Sequence, residues 1–166
     1  MNAQPTLLPA SPHRWIIPAI CAILCLALGT ASGLLTASSI ATWYAPLQKP
    51  PGTPPSWVFG PVWTALYLMM GVGLGRLILR KNTRAVTTFL AHFILNLAWT
   101  PVFFGAHLPW AALAIIVTMI FLLALTIRQS LNGPHRDPIA AALITPTLIW
   151  ICYATWLNAG IAWLNR

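Results

Sequence analysis

Carboxylate is what this sequence has least of: Asp137 is the one acidic residue among 166, against nine Lys and Arg. Charge of either sign is scarce, at 6% of residues, where a soluble domain carries about 25%. A soluble fold this poor in charge could not cover its surface, so a surface that faces lipid is implied. No Asp or Glu falls inside any long apolar run, which disfavours a proton-driven carrier, since such carriers need an intramembrane acid. Cys21, Cys25 and Cys152 lie in apolar runs with no His or carboxylate at ligand spacing, so they read as packing residues and no metal site is expected. No Ser-His-Asp or Cys-His set, no phosphate-binding loop and no internal repeat is evident. The net charge of +8 does not make a nucleic-acid binder either, because the cations form no basic stripe with interleaved aromatics.

What is there is apolar length. Hydrophobic residues make up 58% of the chain. Residues 1–14 are polar and Pro-rich and read as a loose tail. Five spans follow, at about 15–38, 57–79, 85–104, 109–127 and 139–163, each roughly long enough to cross a bilayer. The fold class expected is therefore an all-α integral membrane protein, a bundle of five transmembrane helices over residues 15–166. Residues 39–56 form a loop whose five prolines preclude a regular helix.

The cations sort by end. Arg14, Arg76, Arg80, Lys81, Arg84, Arg128 and Arg136 lie at one end of the spans, and Lys49 and Arg166 at the other. The positive-inside rule then places the N-terminus in the cytoplasm and the Pro-rich loop outside. The expected location is a bacterial cell membrane, with lipid as an obligatory partner.

Tryptophan is abundant, with nine in the chain. Trp15, Trp57, Trp110 and Trp163 lie near span ends, where an aromatic belt explains them. Trp63, Trp99 and Trp150 lie inside spans, where packing and a cavity for a large flat ligand serve equally well as explanations. Asn96, Trp99 and Phe103 share a helix face, as do Trp150, Ala154 and Asn158. Polar Asn in a span faces the bundle interior, as helix–helix glue or as part of a site. Gly29 and Gly33, and Gly71, Gly73 and Gly75, allow close helix approach and give weak support for a homodimer. His92, with no acidic partner, reads as a packed, hydrogen-bonded residue.

Three segments taken together resemble one family. Trp43-Tyr44-Ala45-Pro46-Leu47-Gln48-Lys49-Pro50 with Thr53 through Tyr67, Leu95 through Ala106, and Trp150 through Asn158 resemble the first loop and second helix, the third helix and the fifth helix of the TspO/translocator-protein family. The match runs over about residues 15–166, with the motifs in the family's order. The resemblance implies a five-helix bundle, often dimeric, that binds porphyrins such as protoporphyrin IX and in some members sterols. It places the ligand between the helices beneath the first loop, with Trp43 and Tyr44 in the loop lid. Trp63, Asn96, Trp99 and Trp150 would line the pocket, with Phe103 on the Trp99 face and Ala154 beside Trp150.

Departures at Gly52, after Trp110, at Pro146-Thr147 and at Ala159-Gly160 bear on which ligand is taken, sterols above all. No cofactor is expected besides the tetrapyrrole ligand itself. The expected function is a membrane receptor or sensor for a tetrapyrrole, with Lys49 the nearest cation for its propionates. The alternatives are a light-dependent porphyrin-degrading enzyme, with Trp63 and Trp150 as its catalytic candidates, and a porphyrin or lipid transporter.

Overall fold

The computed structural model describes residues 13–166. Five helices in it are long and apolar enough to cross a membrane. They are α1 (His13–Leu34), α2 (Phe59–Leu79), α3 (Thr83–Thr100), α4 (Pro109–Leu131) and α5 (Pro138–Leu164), and no strand occurs among the described residues. The chain is thus a five-helix membrane bundle, an integral multi-pass protein. Large apolar side chains such as Ile23, Phe121 and Ile149 point outward, as lipid-facing surface requires.

Around the bundle α1 packs on α2, α2 on α5, α5 on α4, and α4 on α3. The α1–α2 seam depends on glycine. A Cβ at Gly71 would run into the Ala22 backbone and one at Gly75 into the Pro18 backbone, so the two helices meet main chain to main chain. These small residues are used inside the chain. The core of the cationic half is apolar, with Met70, Leu77, Phe89, Met119, Leu123 and Ile144 fully buried.

The helix ends differ from the sequence expectation for local reasons. The tail expected over residues 1–14 lies mainly outside the described residues, and residue 13 is already helical. Helix α1 stops at Leu34 rather than near residue 38, and a wide turn follows at Ile40–Tyr44 inside the segment expected to be loop. Helix α4 runs to Leu131, past Arg128, because a cation in the last turns of a helix complements its C-terminal pole and does not stop it. Helices α3 and α5 begin two and one residues early, at Thr83 and Pro138, where Asn82 and Asp137 cap them. Pro101 cannot donate to the α3 ladder, and the helix widens into a π-type turn over Pro101–Gly105, closed by Ala106 N donating to Pro101 O at 2.8 Å.

Cations and connections separate the bundle into two ends. The N-terminal side of α1, the α2–α3 connection and the α4–α5 connection form the basic end. The Pro-rich loop, the α3–α4 connection and the C-terminus form the loop end.

The one acid closes the basic end. Asp137 is buried, and Arg76 on α2 binds both its oxygens at 3.0 Å while Arg80 approaches at 3.4 Å. Its Oδ1 also accepts from Ala140 N at 2.9 Å, so a single side chain caps α5 and ties it to α2. From sequence, Arg76 counts only as one of the cations that set topology, because a partner 61 residues away leaves no local sign.

Candidate functional site

Helix α3 touches α1 and α2 only lightly, and the gap on the loop side of the bundle is a cavity of about 480 Å3. Aromatic rings reach its wall from several sides: Trp63 from α2, Trp99 from α3 and Phe103 from the turn that follows it, Trp150 from α5, and Tyr44 from the turn after α1. Asn96 and Ala154 line it as well. The structure thus brings seven of the sequence-derived site residues to one cavity. The eighth, Trp43, is not on its wall; it stacks on His107 with ring centroids 4.4 Å apart and meets the edge of Phe103 at 5.5 Å.

The spacing on α3 has the consequence expected of it. Trp99 and Phe103, four residues apart, stack at 4.9 Å with planes 15° apart. Two side-chain hydrogen bonds tie the wall across helices. Trp63 stacks on Tyr67 at 5.2 Å, and the Tyr67 hydroxyl donates to Asn96 Oδ1 at 3.0 Å. Trp99 Nε1 donates to Asn158 Oδ1 at 3.1 Å, and Asn158 Nδ2 donates to the Pro109 carbonyl at 2.8 Å. Both span asparagines are therefore glue and cavity wall at once. Tyr67 was missed as a site residue because a phenol inside an apolar helix reads as core, and its partner Asn96 is on a different helix. The α1 wall, from Gly29 to Leu34, was missed because it has neither rings nor charges to mark it.

One donor on this wall is not spent. Trp150 Nε1 is buried and has no partner, although the ring packs on Phe59 at 6.0 Å and Tyr153 at 5.5 Å. A buried N–H without an acceptor costs free energy that a ligand acceptor would recover. Charge is absent from the wall: among the described residues, no Lys, Arg, Asp or Glu lines the cavity. Burial pushes the Tyr44 phenol above its usual range, with a smaller contribution from Tyr153, so it stays a neutral hydroxyl at the cavity mouth.

The Pro-rich loop is docked over the loop end by its main chain. Asn165 makes a two-way clamp on Gln48, accepting from its N–H and donating to its carbonyl, both at 2.9 Å. Tyr153 OH donates to Gly52 O at 2.6 Å, and Trp156 Nε1 to Pro51 O at 3.4 Å. Gly160 leaves room for Pro50, which a Cβ there would strike. Lys49, proposed from sequence as a propionate partner, turns back on its own loop. Its Nζ donates to the carbonyls of Ala45 at 2.8 Å and Leu47 at 3.1 Å and sits over the Tyr44 ring.

The remaining tryptophans divide as the belt reading has it. Trp15, Trp57, Trp110 and Trp163 are all more than half exposed, and Arg14 and Arg166 stack on Trp15 and Trp163. Trp57 also lies at the cavity margin. His92 is fully buried against Phe89, and neither ring nitrogen has a partner, so the hydrogen bond expected for it is not made.

Comparison with known proteins agrees with this architecture. The model of the TspO/MBR family matches residues 10–164. The tryptophan-rich protein TspO of Chlorobaculum tepidum is 37% identical over 152 residues, covering 89% of this chain and 94% of that protein. The protein of the same name from Archaeoglobus fulgidus is 38% identical, with 90% and 96% covered. The human translocator protein is 37% identical over 124 residues, 70% of each chain.

Proposed function

The chain belongs to the TspO/MBR family, and from that membership and the cavity wall we propose that it is a membrane receptor for a tetrapyrrole of the protoporphyrin IX kind. The observation that carries the reading is the ring-lined cavity, whose lining residue Trp150 keeps a buried Nε1 without a partner. Its volume of about 480 Å3 lies within the 300–1,000 Å3 range of small-molecule sites. A flat apolar macrocycle gains from Trp and Phe faces by stacking, and a pyrrole or carbonyl acceptor would satisfy the Trp150 N–H. Because no charged side chain lines the cavity, the macrocycle would enter ring first and leave its carboxylates at the loop end. The names of two relatives, a tryptophan-rich sensory protein and a translocator protein, fit either a sensing or a translocating use of such a site. In the orientation the cations favour, the basic end is cytoplasmic and ligand enters from outside.

The test is tryptophan-fluorescence quenching of the purified protein by protoporphyrin IX, haem and cholesterol. Trp150→Phe keeps most of the packing and removes the N–H. A lost hydrogen bond contributes roughly 0.5–1.5 kcal/mol, so tetrapyrrole affinity should fall by up to about tenfold. Trp163→Phe, on the same helix and facing outward, should leave it unchanged. Equal affinities for the two variants, both folded, would remove Trp150 from the site.

Trp63 and Trp150 both face the cavity, which keeps the light-dependent enzyme as the second reading. Illumination of the complex would then yield a new absorbing product, lost when either becomes Phe. A stable porphyrin spectrum under illumination would leave binding alone.

A further inference from the structure

A second cavity, of about 540 Å3, lies at the basic end, between the α2–α3 and α4–α5 connections. Lys81, Thr83 and Arg84 form one wall, and Gln129, Asn132 and His135 the other. Its shape is built into the backbone. Lys81 at φ 56° and Gly133 at φ 86° are both left-handed, and each turns its connection sharply. Asn82 is buried between them. Its Nδ2 donates to the carbonyls of Gln129 at 3.0 Å and His135 at 3.3 Å, so one amide staples the two connections together.

The cavity's charge has one sign. Lys81 and Arg84 line it with exposed side chains, and the exposed Arg128 and Arg136 adjoin the lining residues Gln129 and His135. The only acid of the chain cannot offset them, because Asp137 is buried in its pairs with Arg76 and Arg80. Thr83 and Arg84 are also the first residues of α3, whose positive pole adds to the field there. The spans end at Leu79, Thr83, Leu131 and Pro138, which puts the cavity at the depth of the lipid headgroups. Within two turns of it the exposed Ile78, Leu90, Leu131 and Ile139 offer acyl chains an apolar surface, which a soluble anion would have no use for.

We propose that this cavity binds the phosphoryl group of an anionic phospholipid headgroup, held by Lys81 and Arg84. The site is separate from the ring-walled cavity and does not depend on what that cavity takes.

The experiment uses the full chain in phosphatidylcholine nanodiscs containing graded fractions of phosphatidylglycerol, read by amide hydrogen exchange. Exchange across residues 80–84 and 132–136 should slow saturably with phosphatidylglycerol and stay unchanged when inorganic phosphate is added to pure phosphatidylcholine discs. In Lys81→Gln/Arg84→Gln the midpoint should move to roughly 25-fold higher lipid, about fivefold for each cation. The single variants, each with its fivefold shift, serve if the double variant does not fold. Lys49→Gln, at the opposite end, should change nothing. An equal effect of inorganic phosphate would assign the cavity to soluble phosphoryl compounds and overturn the lipid. No slowing with phosphatidylglycerol, or slowing that survives both substitutions, would overturn the site.

Discussion

At the basic end, α3 and α5 each begin with a side-chain cap, Asn82 accepting from Ala85 N at 3.2 Å and Asp137 from Ala140 N at 2.9 Å. At the loop end, α2 and α4 begin at Phe59 and Pro109 without a side-chain cap. The basic end is bound helix to helix by an ion cluster and an amide staple. The loop end is bound by stacked rings and by side chains of α5 that reach loop carbonyls. The difference shows where stability is placed and where opening is allowed. Buried charge pairs are strongly destabilising to break, whereas single bonds to an exposed loop contribute little each. A cavity that admits a ligand belongs at the end that can open locally without unfolding the bundle.

The largest effect should come from Asp137→Ala. It leaves Arg76 and Arg80 without their acid and α5 without its cap, and breaking such a pair costs about 3–5 kcal/mol. Thermal melting in detergent reads it, and a melting temperature like that of the unsubstituted chain would erase the distinction between the ends. Asn82→Ala should come next, at about 1–2 kcal/mol, for the lost cap and staple. Hydrogen exchange should then rise across residues 80–84 and 132–136 together; a rise on one side alone would mean the amide is no staple.

Asn165→Ala should leave melting almost unchanged, since it frees only the loop. Loss of about 1 kcal/mol of clamp raises local opening about fivefold, which faster exchange at residues 46–52 would report. If it lowers melting as much as Asp137→Ala, the loop is part of the cooperative fold. The smallest effect belongs to Trp163→Phe, an exposed belt residue, expected within about 0.5 kcal/mol. A larger loss would mean the belt contributes to folding.

Five spans, two ends and the four belt tryptophans are legible in the linear chain, although Trp156, inside the fifth span, is 58% exposed. Those follow from terms local to the chain: a bilayer demands about 20 apolar residues per helix, cations collect in the breaks, and an interior Trp is distinguished from a belt Trp by its place within a span. Motif resemblance, which is also a property of the linear chain, singled out Trp63, Asn96, Trp99 and Trp150. The tertiary structure alone decided the pairings. Tyr67 on Asn96, Trp99 on Asn158, Arg76 on Asp137 and Asn165 on Gln48 join residues between 29 and 117 positions apart, and no periodicity names a partner at that distance. It also decided that Trp43 packs on His107 outside the cavity and that Lys49 bonds its own loop. It left Trp150 Nε1 without an acceptor. The reason is that lipid rewards any apolar outward face equally, so hydropathy can set a helix in the membrane but not its neighbours. Those are chosen by close packing, as at Gly71 and Gly75, and by the few polar atoms that must find one another inside.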